Sequence, residues 1–174
     1  MPGSPNQVVR VGIIGCGEEG AQTVHIPTLT RMSDQFQITY LSDDSPAALS
    51  HYSSALGHQV KTTHDPEELC ASPDVQAVIV TSPDVYHAAH AILALRHHKF
   101  VFVEKPLALT KLDALAVREA ESKSKGRVTF GYTSRFAAPL ADAVSEIGGP
   151  DQVMYARLRG AILQPSPCHM VARL

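Results

Sequence analysis

Short apolar runs of strand composition recur along this chain, separated by longer stretches with helical periodicity. The first begins at Val8 and passes directly into G-I-I-G-C-G-E-E-G. Further runs lie at 37–41, 60–62, 77–81, 100–103 and 128–132. Residues 77–81 are almost continuously apolar, the composition of a parallel strand covered on both faces. Between the runs, the pattern predicts a helix over 18–32, with Pro27 kinking it or ending its regular part. A second helix opens at Ser45-Pro46-Ala47 and closes at Leu56-Gly57. A third starts at D-P-E-E, with Asp65 as N-cap, Pro66 in the first turn and Glu68 completing a capping-box-like pattern. Ser82-Pro83-Asp84 breaks the fourth strand and is expected to cap a helix running to about His98, with Ala88, Ile92 and Leu95 and then Ala89 and Leu93 at helical spacing. His97, His98 and Lys99 fall in its last turn, where cations suit the helix dipole. Thr110 and Asp113 open a helix over 110–125, with Gly126 as its stop. Strict alternation of strands and helices predicts an α/β fold: a doubly wound parallel sheet with right-handed crossovers and helices on both faces.

The pattern changes after Tyr132. A helix is expected over 138–147, a break at Gly148-Gly149-Pro150, and an alternating strand over 153–158, with Tyr155, Arg157 and Arg159 spaced by two. The last stretch has two prolines and no periodicity. The expected organisation is one α/β domain over 1–131 and, over 132–174, the truncated start of a second.

Composition narrows the function classes. The chain has 174 residues, is 44% hydrophobic and carries a formal charge of -2, which suits one substantial core and offers no basic excess for a nucleic-acid partner. Cys16, Cys70 and Cys168 lack metal-ligand spacing, which suits reduced thiols and a cytoplasmic protein; Cys16 reads as a small filler in its turn. No secretory leader and no apolar run long enough for a membrane span is read. His51, His58, His64, His90, His97, His98 and His169 show no mutual ligand spacing and are read as surface, and no metal site is expected.

The candidate chemistry collects where strands end. Gly15, Gly17 and Gly20 have the G-x-G-x-x-G spacing of a dinucleotide-binding turn: Gly15 for the tight turn, Gly17 for close approach of the backbone to a pyrophosphate, Gly20 for packing of the helix that follows. Asp43, 23 residues after Gly20, ends the second strand, where a carboxylate accepts from ribose hydroxyls; Asp44 competes for that role. No Arg or Lys follows closely to pair with a 2'-phosphate, which favours NAD over NADP. T-S-P-D-V-Y-H follows the fourth strand and E-K-P the fifth, and Pro106 keeps Lys105 in an extended connection. Ligands of open parallel sheets bind outside the carboxyl ends of the strands, so these four features are expected on one ligand edge.

V-G-I-I-G-C-G-E-E-G, A-Q-T-V-H-I-P-T-L, T-S-P-D-V-Y-H, V-E-K-P-L-A-L-T and G-Y-T-S-R-F together resemble the N-terminal half of the glucose-fructose oxidoreductase, inositol dehydrogenase and rhizopine catabolism (Gfo/Idh/MocA) family, over roughly 8–160. The resemblance implies a Rossmann-type NAD(P) domain and hydride transfer to or from a sugar, polyol or related secondary alcohol. It implies that Lys105 sits beside nicotinamide and substrate as the catalytic residue, and that Gly15, Gly17, Gly20, Asp43, Ser82, Pro83, His87, Glu104 and Lys105 form the cofactor site. His87 is expected either to line the nicotinamide side or to satisfy a cap, Glu104 to anchor its turn, and His25 of the H-x-P element to pack. Arg135 is expected to contact substrate or to bridge to the second domain.

Three departures accompany the resemblance. The family's acid-histidine pair has no counterpart here, Glu18 and Glu19 occupy the x-x of the glycine motif, and Asp84 replaces the more common asparagine. A carboxylate in the first helical turn gains roughly 0.3–1 kcal/mol from the dipole. Against a phosphate about 8 Å away it costs on the order of 0.5 kcal/mol in water and about 2 at an effective dielectric near 20. These departures keep a second expectation in view: a nucleotide-binding module without turnover, a truncated product or a cofactor sensor, with self-association through exposed strand edges.

Overall fold

The computed structural model describes residues 8–17, 24–132 and 136–152. Gly20 with Glu18 and Glu19, Arg135, Cys168, His169 and the strand expected over 153–158 lie outside them. The chain divides into two compact units, Met1–Tyr132 and Thr133–Leu174.

In the first unit six strands, β1 (Val9–Ile14), β2 (Phe36–Ser42), β3 (Lys61–Thr63), β4 (Ala77–Val80), β5 (Phe100–Val103) and β6 (Val128–Phe130), form one sheet. Every pairing is parallel and the order is β3-β2-β1-β4-β5-β6. This is the doubly wound arrangement, in which the chain works outward from β1 in one direction and then from β4 in the other. The connecting helices are α1 (Ile26–Arg31), α2 (Pro46–Ala55), α3 (Pro66–Ala71), α4 (His87–Arg96) and α5 (Lys111–Lys123).

Alternation of side chains along the strands feeds two apolar layers. Val11 and Ile13 of β1 join Ile26 and Leu29 of α1 and Leu49 and Tyr52 of α2 on one face. Ile14 of β1 with Val78 and Val80 of β4 meets Leu69 of α3, Leu95 of α4 and Val117 of α5 on the other. Each fully buried Val, Leu or Ile stabilises by about 1.5–3 kcal/mol. Gly12 faces this second layer: a Cβ there would stand 2.7 Å from the Leu69 side chain. One irregularity sets the phase of β2. Val11 pairs with Ile38 but Gly12 with Tyr40, so Thr39 is an extra residue. Ile38 and Leu41 therefore share a face although three apart, and Tyr40 turns to the opposite layer.

Most helix starts follow their sequence signals. Ser45 accepts from the Ala48 N–H, Asp65 from Glu67 and Thr110 from Asp113. Four expectations are corrected. Glu68 closes no capping box: its carboxylate accepts from the Tyr40 hydroxyl at 2.8 Å and the Thr63 hydroxyl at 2.6 Å, and these two bonds hold its pKa below the usual carboxylate range. Ser82-Pro83-Asp84 supplies no side-chain cap; a 3-10 turn at Asp84–Tyr86 leads into α4, which stops at Arg96. Pro27 lies in the first turn of α1, behind a wider π-type turn at Val24 and His25, so it does not end the regular helix; a kink against residues 18–23 lies outside the described residues. Gly126 is required by packing and not by a left-handed cap: a Cβ there would stand 1.9 Å from the Lys99 carbonyl oxygen.

In the second unit, α6 (Ala138–Glu146) ends where Gly148 and Gly149 take φ of 87° and 108°, and their N–H groups bond back to the Ser145 and Val144 carbonyls. The break expected at 148–150 thus has the geometry of a helix C-terminus. A 3-10 turn follows at Pro150–Gln152.

Gly126→Ala forces backbone against backbone beside β5, where no flexible side chain can give way. The expected cost is about 3 kcal/mol or more. Gly57 has open space around it and only its φ of 68° to lose, so Gly57→Ala is expected to cost about 1–2 kcal/mol. Urea unfolding of the two variants against wild type measures both.

Candidate functional site

Because all six strands run the same way, their carboxyl ends share one edge. The strand order reverses between β1 and β4, and that is where a doubly wound sheet opens a crevice for ligands. Read across β2, β1, β4 and β5, the edge carries Asp43, then Gly15-Cys16-Gly17, then Ser82-Pro83, then Glu104-Lys105. The sheet's spacing sets that span at about 14 Å. Four sequence-separated features thus come together on one rim.

The two described glycines of the turn have different reasons to be glycine. Gly15 takes φ of 91°, and a Cβ there would stand 2.5 Å from the Ser82 nitrogen and 2.7 Å from the Thr81 carbonyl carbon. The Gly15 N–H donates to the Ser42 carbonyl at 2.8 Å, and the Thr81 hydroxyl donates to the Gly15 carbonyl at 2.5 Å. Gly15 is therefore fixed by the protein itself. Gly17 is not: no described residue lies within 4 Å of where its Cβ would be, and its φ is not in the left-handed region.

Asp43 braces this turn. Its Oδ2 accepts from the Cys16 N–H at 2.6 Å and its Oδ1 from the Ser45 N–H at 2.8 Å. A carboxylate offers about four acceptor positions, so each oxygen keeps capacity for a further donor. His64 Nδ1 sits 2.7 Å from the Asp43 carbonyl oxygen, and Asp44 is exposed. Burial, and then the charge of Asp43, push the Cys16 thiol up to about 12, in accord with its reading as a filler.

At the β5 end, Lys105 is exposed, and its ammonium makes no hydrogen bond or ion pair with any described residue. Glu104 is half-buried with both oxygens engaged: Oε1 lies 2.8 Å from His25 Nε2, and Oε2 accepts from the Lys105 N–H at 3.0 Å. The peptide bond between Lys105 and Pro106 is cis.

His87, expected either to line the nicotinamide side or to satisfy a cap, turns its ring into the protein. It is fully buried, with Nε2 2.6 Å from the Ser82 carbonyl oxygen and Nδ1 2.7 Å from that of Pro106. The Ser82 side chain is buried too and meets His90 Nδ1 at 2.9 Å, while Pro83 is exposed. His90 is thus half-buried, not a surface residue. Burial, followed by the neighbouring His87, lowers its pKa, and Asp44 opposes that shift. The tie from His25 to Glu104 is what sequence reading missed; the H-x-P element marked His25 without naming a partner 79 residues away.

An open hollow of about 400 Å³ lies elsewhere, lined by Val8, Leu29, Phe36, Ile38, Leu56 and His58. It carries little chemistry, since both His58 nitrogens sit 2.8 Å from the Leu56 and Ile38 carbonyl oxygens. Among the described residues no group of three or more metal-ligating side chains converges, and no helix is long and apolar enough to cross a membrane.

Comparison with known proteins bears on this rim. A family model described as an oxidoreductase family with an NAD-binding Rossmann fold matches residues 9–132. The chain is 31% identical over 152 residues to a 1-carboxy-3-chloro-3,4-dihydroxycyclo hexa-1,5-diene dehydrogenase of Comamonas testosteroni, covering 87% of this chain and 36% of that protein. It is 37% identical over 131 residues to an inositol 2-dehydrogenase 3 of Saccharopolyspora erythraea, covering 75% and 38%. A myo-inositol dehydrogenase from Lactobacillus casei, solved with NAD(H) and myo-inositol, superposes with a TM-score of 0.74 at 28% identity, covering 80% of this chain and 41% of that one. The chain spans about two fifths of the length of these relatives.

Burial also sets thiol reactivity. The Cys16 and Cys70 thiols are both pushed from 9.0 to about 12, chiefly by burial. At pH 8 the reactive thiolate falls about a thousandfold below that of an ordinary cysteine. Iodoacetamide followed by peptide mapping is expected to leave both unmodified in the folded protein and to label both after denaturation.

Proposed function

We propose a function from one established premise, that this chain belongs to the Gfo/Idh/MocA oxidoreductase family. The carboxyl rim binds a dinucleotide, NAD in preference to NADP, and serves hydride transfer between that cofactor and a sugar, polyol or related secondary alcohol. The space at Gly17 carries the reading: a backbone bare of side chain, needed by no described neighbour, suits close approach of a pyrophosphate. The free capacity of the Asp43 oxygens suits ribose hydroxyls, and its charge opposes a 2'-phosphate. After Asp43 the next cation in sequence is Lys61, which is paired with Asp74 at 2.7 Å.

The bound nicotinamide supplies the hydride chemistry. The chain's own groups bind and orient it. Lys105, a cation with no partner among the described residues at the β5 end, is the group we assign to hold and move the alcohol proton. Ser82 and Pro83 line the crevice wall, and Glu104 acts from behind the rim. Residues 132–174 are the start of the substrate domain in this reading, and the setting is cytoplasmic, with the buried Cys16 and Cys70 reduced. Self-association is part of the same proposal. Because the chain spans 36–41% of its relatives' length, binding and turnover are tested apart.

NADH fluorescence titration of the 174-residue chain is expected to saturate, and more tightly than with NADPH. Gly17→Ala is expected to weaken NADH by roughly tenfold or more, about 1.4 kcal/mol, with Tm within about 2 °C of wild type. Gly15→Ala is expected to lower Tm instead. Absence of saturable binding by wild type, or undiminished binding by Gly17→Ala, rejects the site. In a polyol and sugar screen for NADH production, Lys105→Ala is expected to retain binding within about threefold and to lose about a hundredfold or more in kcat. Binding without turnover by wild type supports a nucleotide-binding module instead.

A further inference from the structure

Lys105 has a flexible four-carbon stem and an ammonium that no described side chain holds. Its direction therefore depends on how firmly the backbone on either side is kept. Both flanking residues are tied to a histidine from a different helix. On the amino side, the Glu104 carboxylate meets His25 Nε2 at 2.8 Å, and its other oxygen accepts from the Lys105 N–H itself. His25 stands at the entry to α1, with its ring edge-on to Phe102 at 5.2 Å. Gly131 closes the far side, where a Cβ would stand 3.0 Å from the Phe102 ring and 3.3 Å from Glu104 Oε2. On the carboxyl side, the Pro106 carbonyl meets His87 Nδ1 at 2.7 Å.

His87 adds a chemical constraint. Its other nitrogen meets the Ser82 carbonyl at 2.6 Å, and carbonyl oxygens only accept. A neutral imidazole has one N–H, so it satisfies one of these carbonyls and points a lone pair at the other. The ring satisfies both only when each nitrogen donates, that is, as the imidazolium.

We infer that His25 and His87 are positioning residues for Lys105, tying the residues on its two sides to α1 and α4. The inference rests on the proposed role of Lys105, because a displacement of about 1 Å at a reacting group is enough to cost on the order of a hundredfold in rate. Its geometry is independent of that role and is tested on the chain without nucleotide.

The Lys105 amide is followed by NMR hydrogen exchange. His25→Leu is expected to speed its exchange by about tenfold or more, while Val78 in β4 keeps its wild-type rate. His25→Gln, whose Nε2 reaches the same point, is expected to restore protection at Lys105. Equal Lys105 rates in wild type and His25→Leu, or no rescue by glutamine, overturn the role of His25. For His87 the reading is taken on wild type: a ring N–H that donates to the Pro106 carbonyl is expected, seen as a coupling across that hydrogen bond to the Pro106 carbonyl carbon, and its absence overturns the tie from His87. Should His25→Leu fail to fold, the His25→Gln rate decides: wild-type protection supports the tie and lost protection overturns it. A wild-type chain that fails to bind NADH while passing these tests removes the task proposed for Lys105 and leaves the clamp standing.

Discussion

The close approach of β1 to β4 at Gly15 is the constraint on which the rim depends. The Gly15 backbone lies so near Thr81 and Ser82 that no Cβ fits between them. From that point, hydrogen bonds run outward in both directions. Toward β2, the Gly15 N–H reaches the Ser42 carbonyl and the Cys16 N–H reaches Asp43. Toward β5, Ser82 passes through His87 to Pro106. The rim from Asp43 to Lys105 is thus one bonded line, and a disturbance at its centre is felt at both ends.

Two kinds of interaction divide the work. The apolar layers fix the sheet and its strand order, and they are non-directional, so they leave the loop ends free in detail. The loop ends are then set by hydrogen bonds with a net worth of about 1 kcal/mol each, more where a charge takes part. That contribution to stability is small, but the directionality is what a binding rim needs. It explains why ionisable side chains such as Asp43 and His87 spend their bonding capacity on backbone groups, and Glu104 one of its two oxygens.

The fold was legible where its causes are local. Strand composition at 77–81, the proline-bearing helix starts after Ser45 and Asp65, and the glycine turn each carry their reason within a few residues. What stayed hidden depends on distant partners. Gly126 looks like a helix stop, and only the Lys99 carbonyl beside it gives the stronger reason. Glu68 has capping-box spacing, yet Tyr40, 28 residues earlier, takes its carboxylate. The extra residue at Thr39 follows from a pairing register that no local pattern encodes. His87 was legible as a rim candidate because the rim was legible; its burial between two carbonyls was not, since one of them belongs to a loop 19 residues on.

Asp43 carries the last consequence. Its two oxygens hold the N–H groups of Cys16 and Ser45, so it closes the glycine turn and opens α2 at the place where the proposed function puts the ribose. Removing the carboxylate to admit a 2'-phosphate would leave the Cys16 N–H, donated at 2.6 Å, without its acceptor. An unsatisfied group of that kind costs about 1–3 kcal/mol when buried. A neutral amide at position 43 keeps one acceptor oxygen where two N–H groups need one each. In the proposed function, cofactor preference and the rigidity of the glycine turn are therefore coupled through one side chain. A change of preference at this rim has to bring a new acceptor for Cys16 along with a cation for the phosphate.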